Sequence, residues 1–177
     1  MSTRVTLARL TLARLTLARV LGCMIATCAL AAPLGAQERQ PLDLATFPRT
    51  QLEITPHGSD RAGHTHSFQV WVADTDARAE QGLMFVSDLP ETMGMVFPLQ
   101  PPRVATFWMK NTYIELDMLF IDANGRVRKI IQRAAPLSLQ TLSSDTPVAA
   151  VLELKGGQAA KLGLQTGDTV TWKKPSG

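Results

Sequence analysis

The densest set of chemically capable side chains in this sequence is Lys110-Asn111-Thr112, led in by Trp108 and Met109 and followed by Asp117. An ammonium, a carboxamide, a hydroxyl and a carboxylate offer four kinds of hydrogen bonding beside an aromatic face. That mixture suits a ligand pocket: Lys110 and Asn111 hold a polar molecule, Asp117 orients it, Trp108 stacks on it, and Thr112 adds a hydroxyl. Arg78 is a candidate partner for Asp117. The alternative is a buried polar network that locks a neighbouring loop onto the sheet. A hydrolase using Asp117 with Lys110 is a further reading, but a Lys–Asp pair lacks the nucleophile-plus-base arrangement of acyl transfer. No catalytic residue is assigned.

The methionines are a second thread. Five of the seven fall between residues 84 and 118: Met84, Met93, Met95, Met109 and Met118. Thioethers bind Cu(I), and a tryptophan face can cover the ion, so Met84, Met95 and Met109 with His64 and His66 form an alternative copper site. Methionine also fills irregular cores, and histidines in a Gly/Ser/Asp loop are usually solvated. Zinc is poorly served, because no third histidine or carboxylate has ligand spacing. No other cofactor is expected. Glu153 alternates with apolar neighbours in Val151-Leu152-Glu153-Leu154 and is expected to point to solvent or to pair with a cross-strand Arg or Lys. A glycosidase-like carboxylate pair with Asp117 has nothing to bring it together.

Other templates fail. Gly156-Gly157 lacks the Gly-Lys-Ser/Thr of a phosphate loop, and there is no Gly-x-Ser-x-Gly elbow. Gly163–Asp168 reads as a folding turn: glycine permits positive φ and aspartate caps.

The elements that must position these residues are mostly strands. Alternation marks Gln51–Thr55, Ser67–Ala73, Val104–Met109, Tyr113–Asp122, Arg126–Arg133, Val148–Leu154 and Thr169–Trp172. Ile114–Asp122 has two mostly apolar faces, which predicts a strand covered on both sides. Asn124-Gly125 predicts a hairpin with a type I′ turn. Short helices are predicted over Thr75–Gln81, capped by Asp74 and stopped by Gly82, and over Gly157–Leu162, stopped by Gly163. Residues 83–102 read as a long, packed-down apolar loop, and 134–147 as a Ser/Thr/Pro loop. The expected fold is all-β with minor α: a β-sandwich or small barrel with two short helices, spanning residues 51–174.

Residues 1–36 form a separate unit. Thr6–Val20 repeats Thr-Leu-Ala-Arg with period five, which spirals its arginines around a helix instead of lining one face. Val20–Ala32 is an uncharged run of thirteen residues, short of the roughly 20 that span a bilayer. A basic start, a short apolar run and Leu34-Gly35-Ala36 make a secretory signal pattern. The expectation is an exported protein, periplasmic or extracellular; an uncleaved anchor is the alternative and the only membrane attachment foreseen. Cys23 and Cys28 both lie in this segment, in poor context for lipid attachment, so the mature chain has no disulfide and no thiolate site. Residues 37–50 are expected to be a linker or loose arm.

The chain has 18 Lys+Arg against 15 Asp+Glu. Four of those arginines and none of the acids precede residue 37, which leaves 14 against 15 in the remainder, a net of −1. A broad nucleic-acid footprint is not expected. A small molecule or an envelope protein is the expected partner.

Several motifs taken together carry a resemblance. These are Val72-Ala73-Asp74-Thr75, Arg78, Gly82-Leu83-Met84, Leu89-Pro90, Gly94-Met95, Phe107-Trp108-Met109-Lys110-Asn111-Thr112, Leu116-Asp117, Phe120-Ile121-Asp122, Gly125-Arg126-Val127, Val151–Leu154 and Gly167–Val170. In this order and spacing, over about residues 66–172, the chain resembles the DUF192 family of uncharacterised proteins. Val86 departs from the pattern, where arginine is more usual, and loop 138–146 falls where the family varies. The resemblance implies a small β-sandwich-like domain, often exported or membrane-tethered in bacteria, and no established activity. The function expected from the residues is a non-catalytic binding or interaction module of the cell envelope.

Overall fold

Seven strands pair into one sheet in the order β5-β4-β6-β3-β2-β1-β7. In chain order they are β1 (Arg49–Thr55), β2 (His66–Val72), β3 (Met93–Phe107), β4 (Leu116–Ile121), β5 (Val127–Ala134), β6 (Leu142–Lys155) and β7 (Thr169–Trp172). The structure, a computed structural model, describes residues 40–58 and 64–173. The expected signal segment lies outside the described residues. Among those described, no helix is long and apolar enough to cross a membrane.

The sheet curls into a half-barrel, as the mostly-β composition predicts. Its neighbours are antiparallel except β2 and β3. That parallel pair needs a crossover, supplied by α1 (Asp76–Gln81) and the segment after it. Thr75, rather than Asp74, caps α1: its hydroxyl accepts from the Arg78 amide at 3.3 Å, while Asp74 pairs with the Arg78 guanidinium.

β3 and β6 are longer than the sequence suggests. The prolines of 98–102 read as a break, yet β3 begins inside the expected loop at Met93. Pairing with β6 holds to Pro98↔Ala150 and resumes at Arg103↔Val148, so the prolines fall at a bulge, where missing amide donors cost least. β6 likewise begins inside the expected Ser/Thr loop. There the Ser144 hydroxyl accepts from the Ala105 amide at 2.9 Å and donates to the Thr146 carbonyl at 2.7 Å, replacing ladder bonds that the backbone cannot make.

The β4–β5 hairpin forms at Asn124-Gly125, but only Gly125 takes positive φ (77°). The turn is therefore not type I′. The Asp122 carboxylate accepts from the amides of Asn124 (2.8 Å) and Arg126 (3.0 Å) and shapes it instead. The hairpin tip then meets β7: the Val170 amide donates to the Gly125 carbonyl at 2.7 Å, and Arg126 bridges Thr169. A Cβ on Gly125 would lie 2.7 Å from the Val170 carbonyl oxygen. This contact joins the sheet's two outer strands at one end.

Every residue of β4 is buried, as its two apolar faces predict. One core cluster, including Leu52, Phe68, Leu119, Leu152 and Leu164, lies on one face of the sheet. The other includes Trp71, Met95, Phe97, Met109, Met118 and Val151. The expected loose arm is docked over its described part. The Gln81 side chain donates to the Leu42 carbonyl at 2.8 Å, Phe47 is buried beneath the Arg78 guanidinium, and β1 begins at Arg49. One apolar ring in a polar stretch is enough to pin it.

Candidate functional site

The pairings place Glu153 between Met95 on β3 and Met118 on β4. A half-buried edge strand would turn Glu153 to water. β6 is central, both its faces are covered, and Glu153 is only 4% exposed. This corrects the expectation of a solvent-facing or ion-paired side chain. No described residue donates a hydrogen bond to its carboxyl group or forms an ion pair with it. Burial alone pushes its pKa up to about 8, because the charged form is poorly solvated and nothing compensates.

Glu153 lines a cavity of about 700 Å³ on the methionine-rich face. The apolar lining includes Leu83, Phe97 and Phe107, and the half-exposed Trp108 stands among the lining residues. The charged lining groups besides Glu153 are Asp74, Asp76, Glu80 and Arg103. The cavity sits between the β3 bulge, the start of α1 and the Phe107–Thr112 turn. The bulge and the crossover border this space.

Of the pocket residues proposed from sequence, Trp108 and Thr112 line this cavity. Lys110 caps the Trp108 ring, its ammonium 5.1 Å from the centroid. Asn111 takes φ 55°, tolerable for asparagine. Its carbonyl accepts from the Phe85 amide at 2.8 Å, and its carboxamide lies 4.0 Å from the Met84 sulfur. Thr112 is buried; its hydroxyl donates to the Lys110 carbonyl at 3.3 Å and its own carbonyl accepts from Leu137 at 3.0 Å. The Lys110–Thr112 turn thus ties residues 85 and 137 together.

Asp117 and Arg78 lie elsewhere. Asp117 alternates with Met118 and faces the opposite side of the sheet from Glu153. One of its oxygens accepts from the amides of Arg133 (2.8 Å) and Gly157 (3.0 Å), the other from Ala159 (2.7 Å). It thereby fastens the start of α2 (Gln158–Leu162) and β5 to β4. Neither Lys110 nor Arg78 is its partner, and the two buried carboxylates, Asp117 and Glu153, do not converge. Arg78 donates to the Thr46 carbonyl at 3.1 Å and holds the docked arm.

The soft-metal candidates divide likewise. Met95 and Met109 are fully buried in the core, Met84 is partly buried and lines the cavity, and His64 and His66 lie at the start of β2. Among the described residues no three His, Cys, Asp or Glu side chains are grouped to hold a metal ion. The Asp168 turn is structural, as expected: its carboxylate accepts from the amides of Gln165 and His57, each at 2.8 Å.

Sequence reasoning missed Glu153 because alternation on one strand cannot say which strands flank it. The available signal was Leu-Glu-Leu within a run otherwise apolar on both faces.

Residues 58–172 match the DUF192 family, described as "Uncharacterized ACR". No curated protein matches the chain. A crystal structure described as a "putative transcription regulator" from Sinorhizobium meliloti 1021 is 36% identical, covering 71% of this chain and 95% of that one, with a TM-score of 0.67. A protein of unknown function from Novosphingobium aromaticivorans DSM 12444 is 37% identical, covering 75% and 91%, with a TM-score of 0.68. The match runs from the approach to β2 through to β7 and takes in Trp108, Thr112 and Glu153, so the chain belongs to the DUF192 family.

Proposed function

We propose that this protein is an exported, non-catalytic binding module of the cell envelope that takes a small organic molecule into the cavity beside Glu153. The observation that carries this reading is the Glu153 carboxyl group: buried, without a hydrogen-bond partner, and on the wall of a cavity. The carboxyl oxygens are not among the fully enclosed unpartnered atoms of the described residues, so they are reached from the cavity. A ligand in the cavity supplies the partner that the chain does not. The cavity's volume of about 700 Å³ falls in the range of about 300–1,000 Å³ typical of small-molecule sites. Trp108, half exposed and capped by Lys110, supplies an aromatic wall at the site. Export is supported by the basic and apolar pattern of residues 1–36.

Native mass spectrometry of the chain purified from the envelope fraction tests the reading. An organic adduct is expected, with occupancy reduced about tenfold or more by Trp108→Ala in a domain of unchanged stability. A bare mass overturns the reading. A metal ion alone also overturns it, and favours Cu(I) binding through Met84, Met95 and Met109.

A further inference from the structure

We propose that the end of the domain built on the Lys110–Thr112 turn docks onto an anionic lipid bilayer. Phe85, Trp108, Tyr113, Leu137 and Leu139 enter the interfacial layer, and Lys110 meets the headgroups. This surface is distinct from the cavity beside Glu153: of these residues only Trp108 lines that cavity.

Five large apolar side chains gather there in water. Phe85, Trp108, Tyr113, Leu137 and Leu139 are 44%, 48%, 51%, 57% and 69% exposed. Single exposed apolar residues are ordinary, but a group of this size at one place marks an interaction surface. Backbone hydrogen bonds hold the group together. The Phe85 amide donates to the Asn111 carbonyl at 2.8 Å, the Leu137 amide to the Thr112 carbonyl at 3.0 Å, and the Met109 amide to the Ser138 carbonyl at 2.9 Å. The Phe85 and Tyr113 rings meet edge to face, with centroids 6.2 Å apart. Phe85 and Leu137 take φ of 66° and 61°, a left-handed region that bulky side chains avoid. The chain thus holds a costly backbone at two points while leaving both side chains exposed. Strain of this kind concentrates at functional sites.

The charge pattern selects the occupant. Residues 83–87, 107–114 and 134–144 supply the surface and contain one charged side chain, Lys110. Its ammonium lies over the Trp108 ring at 5.1 Å, and no carboxylate among the described residues pairs with it. The acid that follows each segment is already matched: Asp88 with Lys155 at 3.2 Å, Glu115 with Arg133 at 2.7 Å, and Asp145 with Lys129 at 2.6 Å. An anionic bilayer therefore meets a cation and no unpaired acid along these segments. Tryptophan and tyrosine favour the interfacial layer, where an apolar ring and a polar N–H or O–H are both served. Lysine reaches the headgroups along its alkyl stem. Four of the five apolar side chains stand outside the cavity, exposed and not walling it. A bilayer accepts such side chains without a complementary hole, which a protein partner would have to supply.

The test is titration of the chain, purified from the envelope fraction, with vesicles of phosphatidylglycerol and phosphatidylethanolamine whose acyl chains are brominated. Tryptophan quenching is the readout. Residues 1–36 hold no tryptophan, so quenching reports on the domain and not on that segment. The expected result is quenching that Trp108→Phe abolishes and that vesicles of brominated phosphatidylcholine alone do not produce. Lys110→Ala should need about five times as much lipid for half-maximal quenching. Phe85→Asn combined with Leu137→Asn should need at least about ten times as much while keeping its thermal stability, because asparagine suits positive φ. Absence of quenching overturns the proposal, including where the chain floats with the vesicles through its N-terminal segment. Equal quenching by phosphatidylcholine, or an unchanged lipid requirement in Lys110→Ala and in the double variant, also overturns it. Self-association without lipid that the double substitution abolishes overturns it as well, and assigns the surface to a second copy of the chain.

Discussion

Asp117→Ala is expected to destabilise the domain by about 3–5 kcal/mol. The carboxylate is fully buried and satisfies three backbone amides, those of Arg133, Gly157 and Ala159. Alanine orphans all three donors at once and removes the tie between β4, β5 and the start of α2. Asp117→Asn keeps one acceptor oxygen but aims an amide group at one of the donors, so its loss should be smaller. Small domains are stable by about 5–15 kcal/mol, so a loss of this size removes a large share of the total and should lower the denaturation midpoint markedly. Urea denaturation followed by circular dichroism measures both variants. A loss under about 1 kcal/mol for alanine would show that the amides find other partners and would free Asp117 for a role in binding or chemistry.

Glu153→Gln is expected to act in the opposite direction. The pKa of Glu153 rises from 4.5 to about 8 on folding. Its contribution to stability is therefore fully present below about pH 4.5 and lost as pH rises through 8, because the folded state resists giving up the proton that the unfolded chain releases. The native protein should lose stability between pH 5 and 8, by an amount on the order of 3 kcal/mol. The glutamine variant lacks this titrating carboxyl group. The fall due to Glu153 should be absent from its profile, and at pH 8 it should be the more stable protein, even though it loses the proposed ligand. Thermal denaturation at pH 5, 6.5 and 8 measures this. A native profile that does not fall with pH would mean that Glu153 is already neutralised or solvated in the folded state.

These two carboxylates show how far the one-dimensional reading reaches. Asp117 and Glu153 have the same local signature: an acid inside an apolar β pattern. Alternation established that both sit on strands, and Leu116–Ile121 was legible as doubly covered because apolar residues occupy both of its faces. The hairpin at Gly125, the glycine stops of both helices, the Asp168 turn and the family were legible for the same reason. Each depends on residues close in sequence and on backbone conformations that few residue types permit.

Partners across the sheet are another matter. Asp117 meets amides 16, 40 and 42 positions away, and Glu153 lies between methionines from two other strands. The proline-rich stretch of β3 reads as a break because proline cannot donate to a ladder, yet pairing on either side of a bulge carries the strand through. The strand-rich fold, its turns, and the nearness of Trp108 and Thr112 follow from local pattern alone. Which acid is satisfied and which faces a cavity follows from the assembled sheet. Strand order and register set the surroundings of a side chain, and these follow from packing summed over the whole sheet, not from any local pattern.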